Sequence, residues 1–77
     1  MKELLVAIVS GLVENPDAIT VTVDEPNEEG VLVYHLNVAE ADMGRVIGKQ
    51  GRIAKAIRTV MRAAANRSNT RVAVEID

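Results

Sequence analysis

The stretch RVIGKQGRIAKAIR, residues 45–58, concentrates the side chains that could do chemistry. Arg45, Lys49, Arg52, Lys55 and Arg58 fall inside it, with no carboxylate among them. Gly48 and Gly51 enclose Lys49 and Gln50. Glycines there admit backbone angles that other residues resist, and they let a second backbone come close. A helix beginning just after them presents unbonded N–H groups and the positive end of its dipole, which together favour a phosphate. The chemistry on offer is anion binding. Gly48, Lys49, Gln50 and Gly51 are the loop candidates. Arg45, Arg52 and Lys55 are the cations on its border, and Arg58 and Arg62, one or two turns further on, tune the field. Arg67 suits either a phosphate or the negative end of its own helix. Gly44 permits the close approach of either a nucleotide or a neighbouring helix. G-x-x-G alone is also a common turn, so context must decide.

Catalysis lacks its players. There is no Cys, the only His is His35, and Ser10 and Ser68 have no base within sequence reach. The carboxylates cluster in turns and at helix ends, so no enzyme is expected. His35 has no second ligand at metal spacing and reads as a sheet-surface residue. Nothing calls for a metal or a cofactor. Tyr34 is the only aromatic, and it shares a strand face with Leu32, Leu36 and Val38, so core packing is its expected role. Platforms that stack bases need several exposed aromatics.

The net charge of −2 conceals a segregation of sign. Residues 1–42 hold nine acidic residues and one basic, whereas residues 43–71 hold eight basic and none acidic. Such a distribution points to a local anionic partner. The acidic half is a candidate for protein contacts.

These side chains must be positioned by few elements. The 77 residues, 48% apolar and without Cys, read as a single domain, residues 1–77, with an aliphatic core. No apolar run approaches the ~20 residues of a membrane span. The opening MKELLVAIVSGLVENP has a Lys ahead of apolar residues, as a secretory leader does. Glu3 interrupts that basic start, however, and no small-residue cleavage site follows. It reads as a structural helix in a cytoplasmic protein with no membrane partner, which the absence of Cys fits.

Leu4, Leu5, Ile8, Val9, Leu12 and Val13 recur at helical spacing, and Asn15-Pro16 should stop that helix. Residues 18–24 alternate, with Ile19, Val21 and Val23 against Thr20 and Thr22, as in a half-buried strand. A polar turn with Pro26 and Gly30 leads to a second strand over 31–38, giving a hairpin with a longer loop. Asp42 is placed as N-cap of a short helix over 43–47. The longest helix follows over 52–66. It groups Ile53, Ile57, Val60, Met61 and Ala64 on one side and Arg52, Lys55, Arg58 and Arg62 on the other. A polar face of one sign forgoes i,i+4 pairing and repels itself. Ile47 and Ile53 read as core, with the floor of a base-binding groove as the alternative. Ser68-Asn69 turns the chain into a last strand over 70–76. The order α-β-β-α-α-β makes a two-layer α+β sandwich.

A nucleotide P-loop needs four residues between its Gly and Gly-Lys and then Ser or Thr; Gly44 and Gly48 enclose three, and Gln50 follows Lys49. The dinucleotide G-x-G-x-x-G is absent. A helix-turn-helix-like DNA binder remains a competitor, although its first helix would be barely one turn long. Val46-Ile47-Gly48-Lys49-Gln50-Gly51-Arg52-Ile53 resembles the KH signature: an aliphatic pair, G-x-x-G, and an aliphatic residue two further on. The element order is similar to the type II, bacterial-style KH fold, a three-stranded sheet covered on one face by three helices. The likeness extends along the whole chain, whose length resembles that of the small bacterial KhpA-type RNA-binding proteins. The resemblance implies that the G-x-x-G loop clamps a single strand of RNA about four nucleotides long. It implies the work of an RNA chaperone or post-transcriptional regulator. It also implies self-assembly into a homodimer and pairing with a larger Jag-type KH protein. Two function classes stay open: an RNA-binding module using the loop, and a protein-interaction module using the KH surface.

Overall fold

Leu5 and Val9, one turn apart and fully buried, set the inward face of α1 (Lys2–Ser10). The structure, a computed structural model, describes residues 1–76; Asp77 lies outside the described residues. The helix ends before the Asn15-Pro16 stop expected from sequence. Gly11 follows its last residue and is a poor helix former. The backbone N–H groups of Glu14 and Asn15, moreover, donate to the Asp42 carboxylate, at 3.2 and 3.0 Å. Pro16 then opens a 3-10 turn (Pro16–Ala18), which shortens the first strand to β1 (Thr20–Val23).

β1 pairs antiparallel with β2 (Val31–Asn37), placing Val21 opposite Leu36, so the hairpin forms as expected. The last strand, β3 (Arg71–Ile76), pairs parallel with β2, which lies in the centre. A parallel neighbour needs a long connection across the sheet. That crossover is α2 (Met43–Ile47) and α3 (Arg52–Arg67), so the glycine loop hangs between two packed helices. The result is an α+β fold with three helices against one three-stranded mixed sheet. Val21, Tyr34, Leu36 and Val74 point inward and join Leu5, Val9, Val46, Ile57 and Met61 in the core. Tyr34 is thus a core residue, 5% exposed. His35 lies in the alternate register, with Nε2 2.8 Å from Asp24 Oδ2 and Nδ1 3.7 Å from Glu75 Oε2.

Three assignments made from sequence change. On α3 the buried stripe is Ala54, Ile57, Met61 and Ala65. Ile53 and Ala64 are half-buried and Val60 is 46% exposed. The helix is rotated so that two small alanines enter the core, while the bulkier Ile53 and Val60 sit on the flank toward α1. Ile47 is 38% exposed rather than core, because Val46 takes the inward position of α2. Asp42 occupies the N-cap position of α2 but makes no side-chain cap. Its carboxylate is buried and accepts three hydrogen bonds across the fold, from the Glu14 and Asn15 N–H groups and from Asn15 Nδ2.

Burial alone would push the Asp42 pKa up. The donors from Glu14 and Asn15, with the nearby Arg45 charge, outweigh it and hold the pKa below its ordinary value of 3.8. The folded state therefore binds fewer protons than the unfolded state in that range. The contribution is fully present above about pH 4 and is lost as pH falls through the depressed folded pKa. Melting temperatures of the parent and of Asp42→Asn should be measured from pH 7 to pH 2. The expected gap is large at neutral pH and narrows below pH 4. A gap of constant size would mean that this carboxylate is not the one responsible.

Candidate nucleic-acid interface

α2 ends because Gly48 leaves the helical region, at φ 76° and ψ 174°. That region is essentially reserved for glycine. A Cβ there would also lie 2.6 Å from Ile53 Cγ1, so conformation and space both demand glycine. Gly51 has φ 74°, with open space where a Cβ would stand; there the demand is conformational only. Between them Gln50 adopts a left-handed conformation at φ 59°. This succession of angles turns the chain sharply, and Lys49 and Gln50 project at the tip, both exposed.

The backbone bonds of the turn come from Gly48 N–H to Gly44 O, 2.9 Å, from Gly51 N–H to Gly48 O, 3.2 Å, and from Arg52 N–H to Lys49 O. Among the described residues, the N–H groups of Lys49 and Gln50 have no such bond. α3 starts immediately afterwards with no side chain capping it. The first-turn N–H groups beyond Arg52 and the positive end of the α3 dipole thus adjoin the loop. Arg52 and Lys55 flank this point and are exposed. Among the described residues, neither they nor Lys49 form an ion pair; the one link is Arg52 Nη2 to Gln50 Oε1, a long 3.4 Å. Gly44 meets nothing within 4 Å of where its Cβ would be, so no helix packs there and the surface below the loop is open.

A family model described as "KhpA/KhpB, KH domain" matches residues 2–76. The chain belongs to the KhpA/KhpB family of KH domains. Its relatives in this family are bacterial. The RNA-binding protein KhpA of Clostridium acetobutylicum is 55% identical over 76 residues, covering 99% of each chain. That of Caldanaerobacter subterraneus is 53% identical, again over 99% of each. The RNA-binding protein KhpA of Listeria monocytogenes is 46% identical, over 99% of this chain and 97% of its own.

Within this KH frame the cations read from sequence divide into two groups. Among the described residues, Lys49, Arg52 and Lys55 stand at the loop without an ion pair. Arg45 does not: its Nη2 donates to Glu14 Oε1 at 2.7 Å, and its Nε lies 3.5 Å from Asp42 Oδ1. Both Arg45 and Glu14 are largely exposed, so the pair adds little stability, but it orients the arginine against the α1–β1 turn. Arg58 Nε donates to the Val74 carbonyl at 3.1 Å and ties α3 to the edge of the sheet. No local pattern could have revealed the Glu14–Arg45 pair, whose members lie 31 residues apart. Arg71, the first residue of β3, sits alone in an alternating strand, where no local pattern marks it as part of a site.

Two flanks of α3 remain accessible and differ in character. Toward β3 lie Arg58 and Arg62. Toward α1, Ile53, Ala56 and Val60 with Ile8 and Leu12 line an apolar pocket of about 290 Å³. Among the described residues, no group of three or more His, Cys, Asp or Glu could hold a metal ion. No helix there is long and apolar enough to cross a membrane.

Proposed function

We propose that this chain is a cytoplasmic, non-catalytic KH module, one unit over its 77 residues, that binds single-stranded RNA. Gly48, Lys49, Gln50 and Gly51 grip the backbone, with Arg52 and Lys55 supplying charge. Arg45 follows only when a phosphate competes with Glu14. The observation that carries this reading is the loop tip, where unbonded N–H groups and uncompensated cations coincide at a helix N-terminus. The names of its relatives, RNA-binding proteins all, support it. With little base-specific chemistry, such a grip suits an RNA chaperone or post-transcriptional regulator. Fluorescence anisotropy should find short single-stranded RNA bound more tightly than duplex DNA. If ~3–5 phosphates are neutralised, log K against log salt should slope at roughly −2 to −3.5. A flat response would remove the phosphate grip, and preference for the duplex would return the helix-turn-helix reading.

A second reading rests on the other flank of α3. Val60, 46% exposed, and the apolar pocket beside it suit a protein partner, either a second copy of the chain or a Jag-type KH protein. Sedimentation velocity with and without a short RNA tests the homodimer. Self-association that survives RNA and disappears in Val60→Asp is the expected pattern. A protein that stays monomeric at high concentration removes the homodimer.

A further inference from the structure

Ten residues along α3 from Arg52, about 15 Å at 1.5 Å per residue, the helix meets the first residue of β3. Arg62 and Arg71 line a pocket there of about 300 Å³, together with Asn66, Thr70, Val31 and Val72. Both arginines are exposed, and among the described residues neither makes an ion pair or a side-chain hydrogen bond. This sets them apart from Arg45 and Arg58, which are engaged by Glu14 and by the Val74 carbonyl. Two like charges brought to one concavity repel each other, and an anion between them converts that repulsion into attraction. Guanidinium groups are suited to this because their planar forks match phosphate oxygens.

A helix C-terminus ordinarily disfavours an anion, since its last carbonyls are unsatisfied. Here that objection is reduced. Ala65 O accepts from the Ser68 and Thr70 N–H groups and from Thr70 Oγ1, and Asn66 O accepts from the Asn69 N–H. The pocket also lies on the same flank of α3 as Arg58, toward β3. A strand leaving the glycine loop along the seam between α3 and β3 runs toward it. The hairpin turn ahead of Val31, the strand partner of Arg71, carries Glu25, Glu28 and Glu29.

We infer that Arg62 and Arg71 form a second phosphate subsite, engaging single-stranded RNA that extends beyond the segment held by the glycine loop. The inference rests on the RNA reading above and adds a footprint to it. The ligand group is a phosphate, either a diester of the same strand or a free nucleotide, and the length of the probe separates the two. Anisotropy with labelled oligouridylate of four and of eight nucleotides, with uridine monophosphate as competitor, is the test. The parent should bind the octamer more tightly than the tetramer. Arg62→Gln/Arg71→Gln should weaken the octamer about tenfold and lower its salt slope by about 0.7–1.4, with tetramer binding and melting temperature unchanged. Equal losses at both lengths, or no loss at either, would overturn the subsite while leaving the loop reading intact. Erasure of the octamer's advantage by the monophosphate would assign the pocket to a free nucleotide and also overturn it. Failure of the parent to bind either oligomer would remove the RNA reading and the subsite with it.

Discussion

A Lys49→Asp/Gln50→Asp double variant is expected to remain folded and to lose RNA binding by roughly a hundredfold or more. Both side chains are exposed at the loop tip. Gln50 sits at φ 59°, a conformation that Asp tolerates better than most residues. Both glycines stay in place, so the geometry that Gly48 and Gly51 impose is kept. Two carboxylates beside the start of α3 also complement its dipole, so the melting temperature should hardly move. The loop charge passes from +1 to −2 where a phosphate would dock. Each added repulsion at ~4 Å is worth from about 1 kcal/mol in water to about 4 kcal/mol in a less polar setting. A thermal melt beside an anisotropy titration reads both halves of the expectation. A folded variant that binds like the parent would reduce residues 48–51 to a turn and shift the function to the flanks of α3.

Ile57→Ala should cost ~2–5 kcal/mol, through lost transfer energy and the cavity left behind. Ile57 is 2% exposed and lies in the same core as Leu5, Val46 and Met61. Folded domains are typically stable by only ~5–15 kcal/mol. A chain of this size buries just ~60% of its unfolded surface, so the variant is expected near the edge of folding. Val60→Ala, nearly one turn further along the same helix, supplies the contrast. At 46% exposure it should shift stability by less than about 1 kcal/mol. Denaturant melts of the two variants read the rotation of α3 directly, and comparable losses would mean that the helix is turned the other way.

The existence and order of the elements were legible because each leaves a local trace. Alternation marked the hairpin strands, the 3.6-residue repeat marked α1 and α3, and the two glycines marked the break between α2 and α3. The candidate loop was legible for the same reason, since a glycine pair, flanking cations and a following helix are neighbours in the chain. Tyr34 as core followed from strand parity, and His35 as a sheet-surface residue from the lack of a second ligand at metal spacing.

What the sequence determined by itself is therefore short-range: the periods, the breakers, the segregation of charge and the G-x-x-G context. The rest depended on which distant groups meet. α1 stops at Ser10 partly because Asp42 draws in the N–H groups of Glu14 and Asn15. Arg45, indistinguishable in sequence from Arg52, is held by Glu14. The buried stripe of α3 turns toward Ala54 and Ala65 because periodicity gives a helix a face but not its rotation against a particular sheet. Arg62 and Arg71, separated by a turn, come to line one pocket because β3 returns beside the helix it follows. Each of these is a competition for a hydrogen bond, a charge or a packing site among residues far apart in the chain, and only the closed fold decides the winner.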